Sequence, residues 1–81
     1  MTELKGYKKA SYRQTIDWMT DNPMKSLIAM VGDDDDRYHQ WYDPKDTCVY
    51  VRRFGDNDKH LNTTIEVSAY YLPIPKDENN V

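Results

Sequence analysis

The sequence predicts an α+β domain: one N-terminal amphipathic helix packed on a four-stranded antiparallel meander. Three observations carry that reading. A capping signal at Ser11 opens an apolar stripe of helical period. Four later runs are rich in β-branched and aromatic residues, with turn-forming clusters between them. A length of 81 residues leaves room for a single domain.

Residues 1–10 are polar and basic, with Lys5, Lys8 and Lys9, and read as a flexible lead-in. Ser11 to Gln14 then fits the S-x-x-Q capping box, in which the serine caps the helix and the glutamine reaches back. Tyr12, Ile16 and Met19 recur at i, i+4 and i+7, flanked by Thr15 and Trp18. Arg13, Gln14, Asp17, Thr20 and Asp21 fall on the opposite side. Asn22 precedes Pro23, and a residue before proline disfavours helix, so the helix ends there.

Ser26–Val31 is short and apolar and reads as the first strand. Asp33, Asp34, Asp35 and Asp36 follow; adjacent carboxylates repel one another and cannot be buried, so they mark a solvated hairpin tip. Arg37–Tyr42 is the aromatic second strand. Asp43-Pro44-Lys45-Asp46 is a turn, because Pro44 presets its φ and Asp43 can accept a backbone hydrogen bond. Thr47–Phe54 is the third strand, and Gly55–His60 is polar and turn-prone. Thr63–Leu72 is the fourth and longest. Its alternation sets Ile65, Val67, Ala69 and Tyr71 on one face, expected to meet Ile16, Met19 and Val49 or Val51. The other face would carry Tyr50, Tyr70, Leu72 and Phe54. Pro73 and Pro75 stop the ladder. The domain therefore spans 11–73, and 74–81 read as a disordered tail.

Composition narrows the function. A domain this small buries roughly 60% of the surface its unfolded chain exposes, so a deep catalytic cavity is hard to build within one subunit. The net charge of −3 argues against nucleic-acid binding driven by overall charge. Cys48 stands alone, which rules out an intramolecular disulfide. Met1 is followed by polar residues, with no apolar signal core and no run long enough to span a membrane, so the chain reads as cytoplasmic.

Chemistry-bearing motifs fail one by one. An EF-hand loop begun at Asp33 would put Arg37 and Tyr38 at positions that need an oxygen ligand and a glycine; one begun at Asp56 would put His60 and Leu61 there. His39, Cys48 and His60 are too far apart in sequence for a zinc motif. Cys48 lies inside a strand with no glycine-rich nucleophile turn. Gly6, Gly32 and Gly55 are isolated, so no phosphate cradle is legible. No metal, cofactor or enzymatic activity is expected.

What remains is surface. Seven tyrosines in so short a chain suit an interface, because tyrosine gives large contact area at small entropy cost. The expected contact set is Tyr38, Trp41 and Tyr42 with Asp33–Asp36: aromatic anchors beside acids that would steer a protein partner with a basic surface. Strand alternation puts Trp41 and His39 on one side and Tyr38 and Tyr42 on the other, without choosing which set faces the core. A second set, Tyr50, Arg52 and Phe54, suits a nucleotide or other anionic metabolite in a pocket between subunits, since an arginine fork and aromatic faces grip planar anions. Of the two adjacent arginines, only Arg52 shares a face with Tyr50 and Phe54. One short helix cannot cover two apolar sheet faces, so a homodimer is also expected.

Short, acidic, tyrosine-rich, with one helix and a small sheet, the chain resembles in style the accessory and counter-defence proteins carried by bacteriophages. That likeness rests on no specific motif. Together with the surface reading it implies a small non-enzymatic binding protein that inhibits or regulates a macromolecular partner.

Overall fold

The computed structural model describes residues 4–32 and 36–75. They form an α+β domain with one α-helix and a six-stranded sheet. In chain order the elements are β1 (Tyr7–Ala10), α1 (Tyr12–Asp21), β2 (Leu27–Val31), β3 (Asp36–Asp43), β4 (Cys48–Arg53), β5 (His60–Leu61) and β6 (Val67–Pro73). A 3-10 turn, Asn62–Thr64, precedes β6. The strands lie side by side as β1-β6-β2-β3-β4-β5, every neighbouring pair antiparallel.

Two strands thus extend the expected four. Tyr7–Ala10, read from sequence as part of a flexible lead-in, is an edge strand on β6. Its Lys8 and Lys9 are exposed, and charged side chains of this kind are what edge strands tolerate. A strand comes first, so the helix is not the N-terminal element. β5 is only two residues long, too short for any periodicity. The order is not a simple meander either. β2, β3 and β4 follow one another, and β6 then returns to lie beside β2, the connectivity of a Greek key.

The helix begins where the capping box placed it. The Ser11 Oγ accepts from the Gln14 backbone N–H at 3.2 Å, and the Gln14 Oε1 accepts from the Ser11 N–H at 2.8 Å. Asn22 closes the helix: its backbone and side-chain N–H groups both donate to the Trp18 carbonyl, each at 2.9 Å. The buried stripe is rotated from the expected one. Thr15 and Met19 are buried, while Tyr12 is 62% and Ile16 39% exposed. The helix meets the sheet along Thr15, Trp18 and Met19, and the Tyr12–Ile16 edge overhangs it.

β2 is the centre of the structure. Leu27, Ile28, Ala29 and Met30 are all buried, because the strand is covered on both faces. On the helix side Met19, Leu27 and Leu72 pack with Trp18, Tyr42, Val49 and Tyr70. On the other side Leu4, Ile28, Met30 and Tyr71 pack with Tyr7 and Ala69. Tyr70 and Leu72 therefore face the helix and Ala69 and Tyr71 face away, the reverse of the expected assignment. A register shift between Met30 and Val31 sets Val67, not Ser68, opposite Val31, so strict alternation does not run through β6. The Ser68 hydroxyl donates to the Met30 carbonyl at 3.1 Å at this irregularity.

At the end of β6 the Ile74 N–H donates to the Gly6 carbonyl at 2.8 Å, which ties residue 74 back to the start of β1. Residues 76–81, most of the expected tail, lie outside the described residues. No helix among the described residues is long and apolar enough to cross a membrane.

Candidate functional site

The Leu4–Tyr7 segment covers the β1-β6-β2 half of the sheet face opposite the helix. The β3-β4-β5 half has no such cover among the described residues. The register of β3 against β4 decides what lies there. His39 stands opposite Arg52, and Trp41 stands opposite Tyr50. Residues paired across an antiparallel ladder share a face, so these four line the open side together. Their alternates Gln40, Tyr42, Val49 and Val51 turn towards the helix. β5 adds Leu61 opposite Tyr50.

Ring contacts tie the open half together. Phe54 follows β4, anchored by its N–H to the Arg37 carbonyl at 3.0 Å, and lays its ring on His39. The centroids are 4.0 Å apart and the planes 12° from parallel. Trp41 and Tyr50 are tilted neighbours at 6.0 Å. The Tyr50 hydroxyl donates to Asp46 Oδ2 at 2.8 Å, and that bond chiefly pushes its pKa up to about 12. The Lys59 Nζ lies 4.1 Å from the Tyr50 ring centroid, a cation–π contact. Phe54 and Leu61 remain 40% and 47% exposed.

A shallow hollow of about 280 Å³ opens at the edge of this platform, lined by Met24, Ser26, His39, Trp41 and Arg52. The Ser26 Oγ and the His39 Nδ1 are 3.4 Å apart. Burial, and then the positive charge of Arg52, lower the His39 pKa. The imidazole is therefore neutral at pH 7, and Arg52 supplies the fixed charge. Arg52 makes no ion pair among the described residues, where Arg53 with Asp36 at 3.1 Å is the pair formed.

The two residue sets read from sequence fare differently in space. Tyr50, Arg52 and Phe54 come together on the open face, as alternation implied. Tyr38, Trp41 and Tyr42 divide: Trp41 lies on the open face, whereas Tyr38 and Tyr42 point to the helix side, where Tyr42 packs on the core. Asp36 opens β3 and pairs with Arg53; Asp33, Asp34 and Asp35 lie outside the described residues. Cys48 is half-buried, its Sγ 3.2 Å from the Asp46 carbonyl. Among the described residues no group of three or more His, Cys, Asp or Glu side chains is placed to hold a metal.

Sequence reasoning missed His39, Lys59, Met24 and Ser26. His39 was findable. Closing the Pro44–Thr47 turn sets His39 opposite Arg52 and Trp41 opposite Tyr50, which assembles the face from two strand segments. Lys59 and Met24 come from loops that no periodicity reaches, and Ser26, read as the start of the first strand, lies just before β2.

No protein-family model, curated protein or solved structure matches this chain.

Proposed function

We propose that this chain is a small non-enzymatic binding protein that inhibits or regulates another protein, and that the partner docks on the open half of its sheet. One observation carries the reading: Trp41, Tyr50, Phe54 and Arg52 are gathered on the half of the sheet face opposite the helix that the Leu4–Tyr7 segment does not cover. Trp, Tyr and Arg dominate binding hot spots because they combine large apolar area with a polar handle. The groups also hold one another, His39 on Phe54 and Tyr50 on Asp46, rather than converging on a reacting atom. The acidic run from Asp33 to Asp36 precedes the rest of β3 in the sequence and would steer a basic partner to the chain.

The test is capture of a partner from cell extract by the tagged protein and by two variants. Trp41→Ala/Tyr50→Ala is expected to lose capture while the chain stays folded at the assay temperature, with a lower thermal midpoint. Asn at positions 33–36 is expected to weaken capture and flatten its salt dependence. Capture that survives both variants would remove this face and the acidic run from the account.

A second reading has its own observation. Tyr50, Arg52 and Phe54 share one face, as a small anionic ligand held between subunits requires. A ligand of that kind raises the thermal midpoint by binding only the folded state, and a solution mass of two chains would accompany it.

A further inference from the structure

We infer that the hollow between Met24 and Arg52 is a binding site for a flat ring bearing an anionic substituent, of which a nucleoside monophosphate is the fitting class. The lining is rich in hydrogen-bond donors and carries one fixed positive charge, with the neutral His39 offering one donor and one acceptor. Arg52 offers only donors, and so does the Trp41 indole N–H. The Ser26 hydroxyl donates or accepts. No carboxylate lines the hollow among the described residues, in a chain whose net charge is −3. A positively charged, donor-rich hollow on an acidic protein selects for negative charge locally.

The walls supply the second requirement. Trp41 brings a broad π system and Met24 a polarizable apolar side chain to the lining, the groups a planar ring would pack on with its anion towards Arg52. The guanidinium fork matches two oxygens of a phosphate, which a lysine cannot do. His39 is stacked on Phe54, which holds that wall of the hollow in place. At about 280 Å³ the hollow falls just below the usual range for ligand sites, roughly 300–1,000 Å³, which suits one ring and its substituent rather than a dinucleotide.

The assignment rests on the open face being a working surface, but it fails separately from partner capture. Loss of nucleotide binding with capture intact would overturn the assignment alone. The experiment is a ¹H–¹⁵N titration of the full chain with UMP and AMP, with inorganic phosphate and benzoate as the partial probes. Trp41→Phe assigns which indole signal is Trp41 and which is Trp18. Saturable shifts at the Trp41 indole and around Arg52 are expected with the nucleotides, with Trp18 still. Phosphate alone and benzoate alone should each bind at least tenfold more weakly than the nucleotides. Arg52→Ala is expected to weaken nucleotide binding roughly 10- to 100-fold, with Arg52→Lys in between. Arg52 is exposed, so neither variant should unfold the chain. Absence of saturable shifts, equal shifts at both tryptophans, or unchanged binding in Arg52→Ala would overturn the proposal. Phosphate or benzoate binding as tightly as a nucleotide would also overturn it, by removing either the ring or the anion from recognition.

Discussion

His39 shows how one side chain links the platform to stability. It is half-buried against Phe54 and beside Arg52, and both burial and that charge oppose its protonation. In the unfolded chain it titrates near its ordinary value of about 6.5. Below that pH the unfolded state takes up a proton that the folded state resists. Stability from this site is therefore complete above about pH 6.5, is lost as the pH falls below it, and levels off beneath the lowered folded value. His39→Phe keeps a ring on Phe54 and removes the titration. Its thermal midpoint is expected to fall less than that of the wild type between pH 7 and pH 5. Equal falls in the two proteins would assign the acid sensitivity elsewhere. Gln40, its neighbour in sequence, turns inward between Leu27 and Val51. Its Nε2 approaches the Met19 Sδ at 3.8 Å, while its Oε1 is buried without a hydrogen-bond partner among the described residues. An acceptor left in that state costs about 1–3 kcal/mol.

Among the elements, α1 is set by local chemistry more than by its docking. Its capping box is complete, yet only part of its apolar stripe reaches the sheet. Ser11→Ala removes the acceptor for the Gln14 N–H and is expected to cost about 1 kcal/mol of stability, read as a lower midpoint in urea with unchanged slope. An unchanged midpoint would mean that tertiary packing alone holds the helix. The same contrast explains what the sequence made legible. The start and end of α1 and the cores of β2, β3, β4 and β6 are written in caps, turns and alternation. β1 and β5 are not, because edge strands use charged or very short segments that look like loops. The helix-facing side of β6 was misassigned for a different reason. Where Val67 replaces Ser68 opposite Val31, one extra residue reverses the alternation, and nothing in the residue types marks it. At the site, Tyr50, Arg52 and Phe54 were legible as one face of one strand. Their grouping with His39 and Trp41 needed the pairing register, and Lys59 and Met24 needed loop conformations.

For the whole molecule, the Greek-key order decides where the open surface lies. The return of β6 to β2 lets the N-terminal segment cover one half of the sheet face opposite the helix. The β3-β4-β5 half keeps Arg52, Phe54 and Leu61 exposed and leaves Trp41 and Tyr50 half-buried. Overall charge concealed this arrangement: a chain at −3 still presents Arg52 and Lys59 beside aromatic faces, because its acids and bases are sorted by position. The same sorting gives the account its most direct test. A photo-reactive benzophenone side chain is placed at Trp41, at Tyr50, or at Tyr12 on the overhanging helix edge, and each protein is irradiated in cell extract. A partner protein on the open half predicts cross-linked products from Trp41 and Tyr50, heavier than the chain and not twice its mass, with none from Tyr12. Products confined to Tyr12, or products of twice the chain mass from every position, would contradict it.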